Sequence, residues 1–183
     1  MSDPSLHPNR FADTAPVAVL KSIPGFVTGV LDQLARTGIE ASSLPLSHLC
    51  RRVETIEAYH AMREWLMPVC VAVAENDFNG RPISMLLLRE PVVVGGGMVE
   101  LIELPSPKAD HPYPNGWEHV GFVVGDVEAF HARHADVLTG IKDRGSDVQA
   151  PFITFPDGAT AKFYRRTLRE IVERDGWRFE PVP

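Results

Sequence analysis

Three side chains near the middle of the sequence could together bind a metal ion. Glu103 lies in an alternating apolar segment, residues 99–104, where a carboxylate is costly to bury unless it is paired or bound to a cation. His48 and His119 each lie near the start of another segment that alternates like a β-strand. Two imidazoles and one carboxylate suit a divalent cation such as Fe²⁺, Mn²⁺, Ni²⁺ or Zn²⁺ and leave coordination positions open to substrate or water.

Each of these side chains also has a purely structural interpretation. A histidine on a half-buried strand is more often hydrogen-bonded within the fold than bound to a metal, so spacing alone favours a structural role for His48 and His119. Glu103 is the stronger candidate because burying its charge requires a partner. Glu100 and Glu118 are offset by an odd number of residues from Glu103 and His119, so we expect both on the outer face of the sheet, in solvent.

Two further residues could take part in catalysis. Arg52 shares a strand face with His48 and could pair with a substrate carboxylate. The last predicted strand presents Lys162 and Tyr164 on one face. A protonated lysine cannot bind a metal, whereas the phenol of Tyr164 could be a fourth ligand or a general acid. We therefore take Arg52 and Tyr164 as candidate catalytic residues.

Composition limits the class of protein and of partner. The 183 residues contain 44% hydrophobic residues, enough to bury one compact core, and no apolar run reaches the roughly 20 residues of a membrane helix. The net charge of −6, without a cluster of lysine and arginine, argues against nucleic-acid binding. The first residues do not resemble a secretory signal, so we expect a cytoplasmic monomer or homodimer that binds a small molecule and no membrane. We expect Cys50 and Cys70 to be buried thiols.

The order of predicted elements repeats along the chain. Residues 1–13 form a tail without apolar periodicity, and residues 14–40 form a helical segment interrupted near Pro24. Residues 44–108 show the order β-α-β-β-β, and residues 109–183 repeat it in shortened form before a last helix. We predict an α+β fold in which two βαβββ modules form curved sheets around a shared cleft, with the helical segment added at the N-terminus.

Several short motifs resemble the YecM family, which is assigned to the vicinal oxygen chelate superfamily. They are Asn-Gly-Arg-Pro at 79–82, Glu-Leu-Pro at 103–105 and Gly-Trp-Glu-His at 116–119, in this order. The resemblance implies a paired βαβββ fold with a metal site at His48, Glu103 and His119. The superfamily includes glyoxalases, epimerases, extradiol dioxygenases and fosfomycin-resistance proteins, in which a metal chelates two neighbouring substrate oxygens.

The chain departs from the family pattern at two positions. Tyr164 stands where members tend to have a histidine on the last strand, and Gly121 stands where they can carry an acidic residue. Two functional hypotheses follow. The first is a divalent-metal-dependent isomerase, lyase or dioxygenase-like enzyme that acts on a small oxygenated molecule. The alternative is a non-catalytic protein that binds a small ligand or a metal and keeps the cleft without turnover.

Overall fold

The structure is a computed structural model that describes residues 16–77, 80–108, 113–142 and 149–183. The helices are α1 (Pro16–Leu20), α2 (Ile23–Arg36), α3 (Ile56–Leu66), α4 (Val127–His134) and α5 (Leu168–Arg174), with a 3₁₀ turn at Met67–Val69. The strands are β1 (Leu46–Arg52), β2 (Cys70–Asp77), β3 (Pro82–Val94), β4 (Gly97–Pro105), β5 (Gly116–Val123), β6 (Gly140–Lys142), β7 (Ala150–Thr154), β8 (Thr160–Tyr164) and β9 (Glu180–Pro181).

The strands form one curved, open sheet in the order β6-β7-β8-β5-β1-β4-β3-β2-β9. The first strands of the two halves, β1 and β5, are antiparallel neighbours at the centre. Each also pairs in parallel with the last long strand of its own half, so that β4 lies beside β1 and β8 lies beside β5. The predicted α+β fold with two βαβββ modules is therefore confirmed.

Helix α2 covers one face of the central strands. Its apolar residues recur every three or four positions, and Ile23, Val27, Val30 and Leu34 are buried. They belong to the same core cluster as Leu49 of β1, Val120 of β5 and Phe163 of β8. Because successive side chains of a strand point to opposite faces, the residues on either side of Leu49 and Val120 face away from α2. His48 and His119 lie on that other face.

The helical segment at residues 16–36 has the length and composition of a possible membrane span. It is divided into α1 and α2 by a turn at residues 21–22, and α2 buries its apolar stripe against the sheet. Packing in the core therefore accounts for the apolar composition of α2.

Three helices begin at capping residues. Thr55 and Asp126 cap α3 and α4, and Thr167 forms a capping box with Glu170 at the start of α5. The predicted interruption near Pro24 was wrong by a few residues: the break precedes α2, because proline is tolerated in a first turn where its missing N–H has no intrahelical partner. The short strand β9 was not predicted. The predicted tail at residues 1–13 lies outside the described residues.

Candidate functional site

The register of three adjacent strands brings the predicted metal ligands together. Cys50 of β1 pairs with His119 of β5 on one side and with Glu103 of β4 on the other. His48 lies two residues before Cys50 and pairs with Gly121 of β5. The three candidate ligands therefore share the sheet face opposite α2.

The donor atoms of these side chains converge on one point. His48 Nε2 lies 3.1 Å from His119 Nε2 and 3.7 Å from Glu103 Oε2, and His119 Nε2 lies 3.3 Å from the same oxygen. The two histidines are 0% and 1% exposed. Separations of this size are those of neighbouring ligands bound to one ion with bonds of about 2 Å. The structure thus places His48, Glu103 and His119 in one cluster, and their donor set fits a divalent cation.

Glu118 fixes the orientation and tautomer of His119. His119 Nδ1 lies 2.8 Å from Glu118 Oε2, and the same oxygen accepts a hydrogen bond from Arg52 Nε at 2.8 Å. A carboxylate only accepts hydrogen bonds, so the imidazole hydrogen is on Nδ1 and Nε2 faces the cluster with a lone pair. A histidine held in this way by a carboxylate is the usual arrangement of a metal-binding imidazole.

The expectation that Glu118 lies in solvent on the outer face was wrong. Its side chain is three-quarters buried and bonds to both His119 and Arg52. The prediction assumed strict two-residue alternation, but the pairing of β1 with β5 shifts register between Cys50 and Arg51. That irregularity brings Arg52 beside Glu118, and the resulting ion pair compensates for the loss of solvent.

His48 is held between a hydroxyl group and a glycine. Its Nδ1 lies 2.9 Å from Ser47 Oγ, which also accepts a hydrogen bond from the backbone N–H of Leu168 at 2.7 Å. A hydroxyl oxygen can accept both hydrogens, and in that tautomer the Nε2 of His48 also faces the cluster with a lone pair. On the other side, a Cβ added to Gly121 would lie 2.5 Å from the Nδ1 and Cε1 atoms of His48. The glycine therefore makes room for the imidazole.

Burial and neighbouring charges set the protonation states of the site. Burial, followed by the proximity of His119, lowers the pKa of His48 to about 3, so its imidazole is neutral at neutral pH. Burial alone would raise the pKa of Glu103, but contact with His119 and the positive charge of nearby Lys162 hold it well below its ordinary value. The pKa of Glu118 is lowered in the same way. A neutral imidazole and an ionised carboxylate are the forms that bind metals.

Lys162 of β8 occupies the position in the cluster where a fourth ligand from the last strand was expected. Its Nζ lies 3.3 Å from His119 Nε2, and the residue is 5% exposed. Tyr164 is also buried, and its ring packs edge-on against His48 with centroids 5.3 Å apart. Lys162 was missed as a site residue because the sequence argument considered only metal ligation. The alternation of β8 could have indicated it, because Lys162 and Tyr164 share one face of the strand and the core residue Phe163 lies on the other.

The chain matches a known family over most of its length. The sequence profile described as "YecM protein" matches residues 16–149. The chain belongs to the YecM family. This YecM family member is 29% identical to Protein YecM of Escherichia coli strain K12 over 171 residues, which cover 84% of this chain and 90% of that protein.

The fold resembles that of solved structures. This YecM family member resembles a structural-genomics protein, Protein EC4020, with a TM-score of 0.67 and 28% sequence identity, covering 87% of this chain and 92% of that chain. A 2,2',3-trihydroxybiphenyl 1,2-dioxygenase from Sphingomonas wittichii is a more distant match, with a TM-score of 0.42, 18% identity and coverage of 66% and 40% of the two chains. Similarity at that level carries no functional argument.

Arg52 of this YecM family member lies beside the cluster and is 7% exposed. Its Nε bonds to Glu118, and its guanidinium stacks over the ring of Tyr113 at 4.5 Å from the centroid. Arg52 also borders a cavity of about 80 Å³, here called the Glu103 cavity. Its lining residues are Arg52, Arg81, Ile83, Glu103, Lys142, Ala150, Lys162, Tyr164 and Leu168. The cavity thus joins both candidate catalytic residues to one candidate ligand.

A second group of potential ligands overlaps the first in this YecM family member. Cys50, Glu118 and His119 could offer ligand atoms within 4.8 Å of one another. Burial raises the pKa of the Cys50 thiol well above its ordinary value, which favours the protonated form that does not bind metals. Glu118 and the Nδ1 of His119 are also bonded to each other. The set of His48, Glu103 and His119 is therefore the better metal site.

Proposed function

We propose that this YecM family member is a divalent-metal-dependent enzyme of the vicinal oxygen chelate type that acts on a small oxygenated molecule in the cytoplasm. The observation that carries the proposal is the convergence of two imidazole nitrogens and one carboxylate oxygen, from three strands, within 3.1–3.7 Å of one another. The contact of His119 Nδ1 with Glu118 supports it, because it leaves Nε2 as the nitrogen of His119 that faces the cluster.

His48, Glu103 and His119 would hold the ion, which would supply Lewis-acid polarisation of a substrate carbonyl or stabilisation of an enediolate. The identity of the metal is left among Fe²⁺, Mn²⁺, Ni²⁺ and Zn²⁺, all of which accept imidazole and carboxylate ligands. Glu118 keeps the hydrogen of His119 on Nδ1 so that the other nitrogen stays available.

Two residues of the Glu103 cavity act on the substrate in this proposal. The phenol of Tyr164 serves as the general acid, since it lies on the strand next to the cluster and contacts the ring of His48. Arg52 binds a substrate carboxylate and orients the molecule. Burial of both side chains strengthens these interactions, because little water competes for them.

The proposal is tested by a screen for turnover of compounds with two neighbouring oxygens, such as 2-oxoaldehyde thiol adducts and catechols. Each is assayed with Mn²⁺, Fe²⁺, Ni²⁺ or Zn²⁺ added to chelator-treated protein. We expect activity with at least one metal and its loss in Glu103→Gln, which keeps the side-chain size. Glu100→Gln is the matched control, because Glu100 lies on the same strand but is exposed. Turnover that is independent of metal, or unchanged in Glu103→Gln, would contradict the proposal.

A second candidate function is a non-catalytic protein that binds a small ligand or a metal in the same cleft. The position of Lys162 favours it, since an ammonium group 3.3 Å from His119 Nε2 occupies a corner where a fourth ligand would otherwise complete the site. Metal-dependent turnover that is abolished in Glu103→Gln would exclude this alternative. Tight ligand or metal binding without turnover of any compound in the screen would favour it.

A further inference from the structure

Cationic side chains dominate the Glu103 cavity. Arg52, Arg81, Lys142 and Lys162 line it, and Glu103 is the one carboxylate among the described residues that border it. This concentration of positive charge contrasts with the net charge of −6 of the whole chain. A small concave site with an excess of one charge attracts ligands of the opposite charge.

Arg52 is held in place, and one of its nitrogens lacks a hydrogen-bond partner among the described residues. Its Nε bonds to Glu118 and its plane lies over Tyr113. Its Nη1 is buried and has no hydrogen-bond partner among the residues that the structure describes. A buried guanidinium N–H without an acceptor is unfavourable, and an oxygen of a bound anion would remove that cost. The fixed orientation of Arg52 also reduces the entropy lost on binding.

The pairing of strands explains why Lys162 lies opposite Glu103. In the first module, the residue two positions after the histidine, Cys50, pairs with Glu103 of β4. In the second module, the residue two positions after the histidine, Gly121, pairs with Lys162 of β8. Lys162 is thus the counterpart of Glu103 in the repeated unit. One module contributes a carboxylate to the site and the other contributes an ammonium group.

We propose that the Glu103 cavity binds an oxyanion, a carboxylate or a phosphate group, through Arg52 and Lys162. The volume of about 80 Å³ admits a group of only a few heavy atoms, so the anion is the end of a small molecule and not part of a polymer. The inference deepens the proposed function and rests on it for the statement that the bound molecule is the substrate. The substrate class is then a small carboxylate or phosphate ester whose other oxygens would bind the ion held by His48, Glu103 and His119.

The test is calorimetric titration of chelator-treated protein with inorganic phosphate and, separately, with acetate. We expect saturable binding of at least one of them at one site per chain, and the tighter of the two identifies the oxyanion. Arg52→Met and Lys162→Met should each weaken binding at least tenfold, because each removes a charge-assisted hydrogen bond. Arg51→Met is the matched control and should bind as the wild type does, since Arg51 lies over Trp117 and does not line the cavity.

Circular dichroism and thermal melting establish that each variant is folded. If Arg52→Met does not fold, Arg52→Lys replaces it, because a lysine keeps the positive charge beside Glu118 but loses the forked donor. We then expect weaker binding than in the wild type and an unchanged melting profile.

Absence of saturable binding of both anions, or binding that survives unchanged in both cavity variants, would overturn the inference. Because the titration uses chelator-treated protein, its result does not depend on a metal. Anion binding without metal binding would leave the inference standing and refute the proposed metalloenzyme. Metal binding without anion binding would refute the inference and leave the proposed metalloenzyme standing.

Discussion

At the scale of residues, the site depends on hydrogen bonds that fix two imidazoles. One carboxylate oxygen of Glu118 accepts hydrogen bonds from Arg52 and His119. The hydroxyl oxygen of Ser47 is hydrogen-bonded to His48 and accepts a hydrogen bond from the first backbone N–H of α5. Each imidazole can therefore present Nε2 to the cluster without a rearrangement on metal binding. The residues that orient the ligands are as important to the site as the ligands.

Replacement of Glu118 should weaken metal binding although Glu118 is outside the proposed ligand set. In Glu118→Gln the negative charge that favours the Nδ1–H tautomer of His119 is lost, so we expect metal affinity to fall about 10- to 100-fold. Titration of the chelator-treated protein with Zn²⁺ measures this. Glu128→Gln is the control, because Glu128 is an exposed carboxylate whose partner is Arg165. Equal affinities in the two variants would contradict the role of Glu118.

Gly121 should be intolerant of even a methyl group. Gly121→Ala places a Cβ against the buried ring of His48, so the ring or the strand must move, at a cost of about 1–3 kcal/mol in the free energy of unfolding. Metal affinity should fall in the same variant. Gly29→Ala is the control, because a Cβ at that helical position meets no atom within 4 Å and should be neutral or stabilising. Chemical denaturation compares the two, and a Gly121→Ala protein as stable as Gly29→Ala would refute the packing argument.

At the scale of elements, alternation in the sequence was enough to predict which face of its strand each of His48, Glu103 and His119 occupies. It did not predict which strands are neighbours in the sheet. His48 and His119 were placed correctly on strands because Leu49 and Val120 beside them are apolar core residues. Capping residues mark the starts of three helices, because their side-chain oxygens satisfy local N–H groups. These signals are local, so one sequence contains them.

The positions of Glu118 and Lys162 could not be predicted from the sequence because they depend on pairing between distant strands. A register shift in the β1–β5 pair brings Arg52 to Glu118, and nothing in either strand alone indicates that shift. The position of Lys162 across the site from Glu103 similarly follows from the register of β4 with β1 and of β8 with β5. A search restricted to metal-binding residue types also could not assign a role to a lysine.

Glu103 on β4 and Lys162 on β8 occupy equivalent positions in the two modules, and this leads to a testable prediction about Lys162. Lys162→Glu replaces a cation with a potential fourth ligand, and we expect the affinity for Zn²⁺ or Mn²⁺ to rise at least tenfold. Lys162→Gln removes the charge without adding a carboxylate and should lie between the wild type and Lys162→Glu. Arg165→Glu makes the same charge change one residue beyond β8 and should not alter affinity. Weaker metal binding in Lys162→Glu would contradict the assignment of Lys162 to the fourth corner.

At the scale of the whole molecule, the ligands join the two modules. His48 and Glu103 come from the first module, and His119 comes from the second, so an ion bound to all three would link the halves of the sheet. A ligand that binds only the folded state stabilises it by mass action. The same link explains why the site lies at the centre of the sheet, where β1 and β5 meet.

Metal binding should therefore raise the stability of the entire fold. At a free metal concentration one hundred times the dissociation constant, the free energy of unfolding should increase by about 2.7 kcal/mol. Thermal melting of chelator-treated protein with and without added metal measures the effect. The increase should disappear in Glu103→Gln and persist in Glu100→Gln, and an equal increase in both variants would indicate a different binding site.

In the proposed function, one divalent ion binds among His48, Glu103 and His119. Crystals of protein loaded with Mn²⁺, Fe²⁺, Ni²⁺ or Zn²⁺, with diffraction recorded on both sides of the corresponding absorption edge, test it most directly. We expect one anomalous peak per chain, at bonding distance from His48 Nε2, His119 Nε2 and a Glu103 oxygen. A map without a peak there for any of the four metals, or with its peak at Cys50 instead, would contradict it.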